Sequence, residues 1–84
     1  MFDLVTFNFE TGDSSSPYWQ EFALIDSIQM NCEALNNALK EYEENSEGTV
    51  EYEDIVSDVL NGLGWTWKPF TAGSKIQSVW TVWD

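Results

Sequence analysis

The stretch Tyr18–Asp26, YWQEFALID, supports two incompatible backbones. Read with period two, Tyr18, Phe22 and Leu24 share one side and Trp19, Ala23 and Ile25 the other, which is the alternation of a β-strand. Read in steps of three and four, Phe22, Ile25, Ile28, Cys32, Leu35, Leu39 and Tyr42 form the apolar stripe of one helix from Pro17 to Glu44, with Ser16 and Pro17 as N-cap and first residue. Length decides between them. Such a helix would run about 42 Å at 1.5 Å per residue, longer than a domain of this size is wide. The expected fold therefore has a strand over Tyr18–Asp26, a break near Asp26 to Asn31, and a helix running on to about Glu44.

Working outward, Phe2–Glu10 (FDLVTFNFE) places Val5, Phe7 and Phe9 in phase, and the turn formers TGDSSSP that follow make it the hairpin partner of the second strand. From Thr49 or Val50 a helical period returns in Tyr52, Ile55, Val56, Val59, Leu60 and Leu63, with Asn61-Gly62 as the expected stop. WTWKPF (Trp65 to Phe70) and IQSVWTVWD (Ile76 to Asp84), joined by TAGSK, read as two further strands; Pro69 cannot donate to a ladder and makes the first of these an edge. The prediction is one α+β domain over residues 1–84, in the order β-β-α-α-β-β, with an antiparallel four-stranded sheet and two helices on one face.

At 84 residues folding removes only about 60 to 65% of the unfolded chain's surface, so the core is small. Five Trp, three Tyr and five Phe nevertheless supply more apolar area than a disordered acidic tail would have. The formal charge is −12, with three lysines, no Arg and no His. Such a field repels nucleic acid and anionic membrane and attracts cationic surfaces, although it also serves solubility or a halophilic host. Cys32 is the single cysteine, no apolar run approaches the roughly 20 residues of a spanning helix, and the opening MFDLVTF has no basic segment, so a cytoplasmic location is expected.

Catalytic chemistry finds little footing. There is no His to serve as a base near neutral pH, no phosphate-cradling glycine loop and no nucleophile motif, so neither an enzyme nor a cofactor is expected. Cys32 lies in register with Leu35 and Leu39 and reads as a small hydrophobe.

Residues 41–58 hold eight acids and no base. Within them, EYEENSEGTVEYED (Glu41 to Asp54) resembles an EF-hand loop, with Glu43, Asn45 and Glu47 at its first, third and fifth positions, Gly48 at the turn, Val50 at the eighth, Glu51 at the ninth and Asp54 at the twelfth. The likeness implies a degenerate metal-binding module as one alternative. It departs from calcium chemistry where Glu43 and Glu47 are long and Asp54 is short for the bidentate ligand. Glu47, Glu51, Asp54 and Asp58 also recur at intervals of four, three and four, which at about 100° per residue gathers them on one side of the second helix. Their carboxylates would follow one another at about 5 to 6 Å, close to the spacing of phosphates along a nucleic-acid strand. Adjacent like charges on a helix cost about 0.2 to 0.5 kcal/mol per pair, and no lysine is placed among them to relieve it. Glu43, Glu44, Glu47, Glu51, Asp54 and Asp58 are therefore the candidate partner-binding acids. Trp65 and Trp67 share a strand face and Trp80 is in phase with Ile76 and Val82, so these three read as core, whereas Trp19 and Trp83 are the candidate exposed anchors on the uncovered sheet face.

In size, acidity and lack of catalytic groups the whole chain resembles the phage-encoded nucleic-acid mimics, among them anti-CRISPR proteins, antirestriction proteins and uracil-DNA glycosylase inhibitors. That resemblance implies an anti-CRISPR-type inhibitor whose acids occupy the basic DNA channel of a CRISPR effector in the host cytosol, without touching nucleic acid or membrane itself. An immunity-type inhibitor of a basic toxin or nuclease would need the same acids. In every case self-repulsion at −12 opposes folding, and it weakens as the Debye length shrinks to about 8 Å near 0.15 M salt. The thermal midpoint should rise between low salt and that concentration of sodium chloride. An unchanged midpoint would mean that the charges are dispersed or paired.

Overall fold

The computed structural model describes residues 1–46 and 51–83. Strands β1 (Phe2–Glu10) and β2 (Tyr18–Asp26) pair antiparallel along their whole length, from Phe2 opposite Asp26 to Glu10 opposite Tyr18, which excludes the single long helix. Asp26 ends β2 chemically. Its Oδ1 accepts the Ile28 N–H at 2.9 Å, and its carbonyl accepts the N–H groups of Gln29 and Met30. Asn31, extended at φ −141°, then accepts the Ala34 N–H on its side chain and caps helix α1 (Cys32–Asn45).

Helix α2 (Tyr52–Leu63) starts later than its apolar period suggests, because Glu51 is still extended. It also passes through Asn61-Gly62 and stops at Gly64, whose φ of +73° is the left-handed cap conformation that glycine adopts without steric cost. Strands β3 (Trp67–Pro69) and β4 (Ile76–Trp83) complete a sheet of order β3-β2-β1-β4.

The sheet is mixed, which corrects the expectation of an antiparallel one. β3 lies antiparallel to β2 at one edge, as Pro69 required, but β4 runs parallel to β1 at the other, from Ile76 beside Phe2 to Trp83 beside Asn8. The physical reason is pairing length. A hairpin onto β3 would offer β4 three partner residues, whereas β1 offers a nine-residue free edge. On β4 the step from Ile76 to Val79 faces the step from Phe2 to Leu4, three residues against two. This irregularity takes Ile76 out of phase with Trp80, which stands beside Val5.

Val5, Phe7 and Phe9 of β1, Ala23 and Ile25 of β2, and Val82 of β4 form one buried cluster with Leu35 and Leu39 of α1 and Val56, Val59 and Leu60 of α2. Both helices thus cover the same side of the sheet. Trp65 and Trp67 pack partly against this cluster, but Trp80 on the edge strand β4 stays partly exposed, contrary to its reading as core. Its indole N–H donates to Asp3 Oδ2 at 2.8 Å, and Ser27 Oγ donates to Asp3 Oδ1 at 2.6 Å, so the buried Asp3 ties β4 to the turn after β2.

The opposite side carries Leu4, Thr6 and Asn8, with Phe22 and Leu24 on one flank and Val79 and Trp83 on the other. Phe70 packs on Phe22 and the Lys68 ammonium stands 4.7 Å from the centre of the Phe2 ring, so the β3–β4 connection borders this face and Leu24 is fully buried beneath it. Tyr18, Phe22, Val79 and Trp83 remain exposed there. Among the described residues no helix is long and apolar enough to cross a membrane.

Phe7 sits at the centre of the covered face, and Phe7→Ala should cost about 3 to 5 kcal/mol, a large share of the 5 to 15 kcal/mol typical of a whole domain. Urea unfolding measures this; a loss below about 1 kcal/mol would contradict the assigned core.

Candidate functional site

The acids of the two helices do not all have the same reason to be where they are. Glu53 and Asp54 lie in the first turn of α2, where the helix dipole favours negative charge. Glu43 and Glu44 lie near the C-terminus of α1, where the dipole opposes them by roughly 0.3 to 1 kcal/mol each, and the last turn holds no base. Both are exposed, and Lys40 is the sole base on either helix.

Between the helices runs a groove of about 360 Å³ lined by Glu41, Tyr42, Asn45 and Asp58 among others. The Tyr42 hydroxyl donates to Asp58 Oδ2 at 2.9 Å and joins the end of α1 to the middle of α2. The bond to the Asp58 carboxylate raises the Tyr42 pKa above its ordinary 10.0, with burial and the charges of Asp58 and Asp54 adding to it.

The expected stripe is altered in two ways. Glu51 stands at the N-cap position rather than within α2 and makes no side-chain cap bond, while Asp54 and Asp58 follow it on the exposed side of the helix about one turn apart, some 6 Å at 1.5 Å per residue. Glu47 lies outside the described residues. The helix pair adds Glu41, which lines the same groove as Asp58 from the other helix and so could not be indicated by the spacing along α2 alone.

The EF-hand likeness meets a helix where it needs a loop. Glu43 and Asn45, its first and third positions, are both inside α1, and the Asn45 amide donates to the Glu41 carbonyl at 2.8 Å. Positions five to eight, Glu47 to Val50, lie outside the described residues. Among the described residues no group of three Asp, Glu, His or Cys side chains is arranged to hold a metal ion.

Trp19 and Trp83 do not share a surface, which corrects their joint assignment to the uncovered sheet face. Trp83 is on that face, with its ring meeting the Tyr18 ring edge-on at 5.4 Å. Trp19 is on the helix side, stacked at 6.2 Å and 19° on Tyr52, which in turn stacks on Phe9 at 4.9 Å. The reason is their opposite phase: Trp19 alternates with Ala23 and Ile25, both in the helix-side cluster. Glu21 shares that phase and accepts the Trp19 indole N–H at 2.8 Å. The alternation of β2 could have placed Glu21 beside Trp19, yet nothing in it indicates that Tyr52 and Glu53 arrive from α2.

Comparison with protein families, with curated proteins and with solved structures found no match.

The Tyr42–Asp58 bond has a pH signature. The folded chain holds the phenolic proton more tightly than the unfolded chain, so the bond's contribution is complete below about pH 10 and is lost as pH rises through the higher folded value. Ultraviolet titration of the tyrosinates should show one late-ionising group that Asp58→Asn moves to lower pH. Superimposable curves would contradict the pairing.

Proposed function

We propose that this chain is an inhibitor that presents helix-borne carboxylates to a basic nucleic-acid-binding channel, of the anti-CRISPR type: it occupies the DNA channel of a CRISPR effector in the cytosol of a phage-infected host. The observation that carries this reading is the placement of Glu43 and Glu44 against the helix dipole at the end of α1, which the Tyr42–Asp58 bond joins to α2, with Lys40 as the only base on either helix. An acidic surface serving solubility alone would gain by interspersing lysines and by reserving its helix C-termini for them.

In this mechanism Glu41, Glu43, Glu44, Glu51, Asp54 and Asp58 stand where phosphates would. The lysines and arginines of the channel pair with carboxylates instead of phosphates, and the counterions displaced as the two charged surfaces meet make association salt-dependent and steered by charge. The two packed helices matter because their backbones set the spacing of the carboxylates before docking. No base reading is involved, since phosphate contacts position a duplex without reporting its sequence.

The test is the double variant Glu51→Lys, Asp58→Lys. Both side chains are exposed and outside the core, so folding should persist apart from the loss of the Tyr42 bond. Inhibition of DNA cleavage by a CRISPR effector should weaken by about 2 to 5 kcal/mol, roughly 30-fold or more, because charge reversal at a close interfacial pair removes an attraction and adds a repulsion. Inhibition at full strength in low salt would overturn the reading.

A further inference from the structure

The cavity between β2 and the start of α2 carries chemistry that the acidic helix surface alone does not. An open hollow of about 260 Å³ is lined by two aromatic rings and three carboxylates: Trp19 and Tyr52, with Glu21, Glu51 and Glu53. The rings are anchored, because Tyr52 stacks between Trp19 and the buried Phe9. The bond from the Trp19 indole N–H to Glu21 fixes the orientation of the ring, yet Trp19 is still 52% exposed. An indole held this firmly and left half in water offers a surface rather than filling a space.

The electrostatics of the cavity call for a cation. No lysine lines it; Lys68 stands over Phe2 on the other side of the sheet and Lys40 lines a separate cavity beside Trp83. The N-terminus of α2 contributes about half a positive charge, which three carboxylates outweigh. Glu51 is also uncommitted to the helix end, since it makes no cap bond.

The shape selects the kind of cation. Among the described residues no three acidic side chains converge as metal ligands would, so these carboxylates rim the space instead of meeting at a point. That arrangement suits an extended organic cation. A planar guanidinium stacks on an indole face while its in-plane N–H groups reach carboxylates at the edge, whereas a strongly hydrated ammonium gains less from the ring. An adjoining cavity of about 190 Å³ shares Glu21 and Glu53 and adds the Trp67 indole, so the acidic wall continues toward a second aromatic ring.

We propose that this cavity is an arginine-binding site, in which a guanidinium of the basic partner stacks on Trp19 and is held by Glu21, Glu51 and Glu53. It rests on the reading of the helix layer as a surface for a basic partner, and it names the residue type that the partner must supply.

The experiment uses the full chain with deca-arginine and deca-lysine peptides, binding being followed by calorimetry and folding by circular dichroism. Trp19→Leu should weaken deca-arginine binding by about three- to tenfold and deca-lysine binding by less than about twofold. Trp19→Phe, which keeps an aromatic face and guards against misfolding of the first variant, should retain the preference for arginine. Asp54→Asn with Asp58→Asn, outside the cavity, should weaken both peptides alike. A Trp19→Leu variant that binds deca-arginine as the native chain does, or that loses both peptides equally, overturns the arginine site. If only the aspartate variant proves silent, the acidic-helix reading falls and the cavity stands.

Discussion

The burial of Val5, Phe7 and Phe9 under two helices is the contact on which the rest of the molecule depends. β1 pairs with β2 along one edge and with β4 along the other, so whatever covers its odd-numbered side chains fixes the orientation of the whole sheet. Strand alternation then leaves Leu4, Thr6 and Asn8 on the far side, without a helix. Fifty-odd residues of strand and helix in so small a chain yield one covered face, and both helices are spent on it. Their inward stripes are apolar and their outward faces are relieved of any packing duty, which is the structural condition for loading them with acid.

That division separates charge from aromatic surface. Glu41, Glu43, Glu44, Glu51, Glu53, Asp54 and Asp58 all belong to the helix layer, while Tyr18, Phe22, Val79 and Trp83 belong to the bare sheet face, which the Lys68 ammonium borders over Phe2. Acids at the start of α2 are in harmony with its dipole, but those at the end of α1 are not, and the Tyr42–Asp58 bond ties the end of α1 to the middle of α2. Trp19 belongs to this surface and not to the sheet face, because it is stacked on Tyr52 at the point where α2 begins. The result is a charged layer with an aromatic slot at one end, a combination suited to cationic side chains.

Local chemistry was legible in the sequence wherever one element decided it. The period-two alternation of Tyr18–Asp26, the break between Asp26 and Asn31, and the edge position forced by Pro69 are all written within a few residues of where they act. Non-local choices were not. The parallel pairing of β4 with β1 is decided by the length of a free edge more than seventy residues away in the chain, and the irregularity opposite Phe2 shifts the phase of Ile76 against Trp80 in a way that alternation cannot foresee. Glycine punctuation misled by two residues, since Gly62 remains helical and Gly64 supplies the positive φ. For the site, the exposure of Glu51, Asp54 and Asp58 agrees with their spacing, whereas the shared groove of Glu41 and Asp58 and the stacking of Trp19 on Tyr52 required knowing which elements pack together.

The central claim is that the carboxylates of the helix layer occupy the place of nucleic-acid phosphates, and competition measures it most directly. A guide-loaded CRISPR effector holding fluorescent target DNA would be titrated with this chain at low and at moderate salt. The account predicts mutually exclusive binding: DNA is displaced, and the affinity of the chain for the effector falls steeply with salt as counterion release is lost. A ternary complex in which DNA and the chain are held together, with an affinity indifferent to salt, would contradict it.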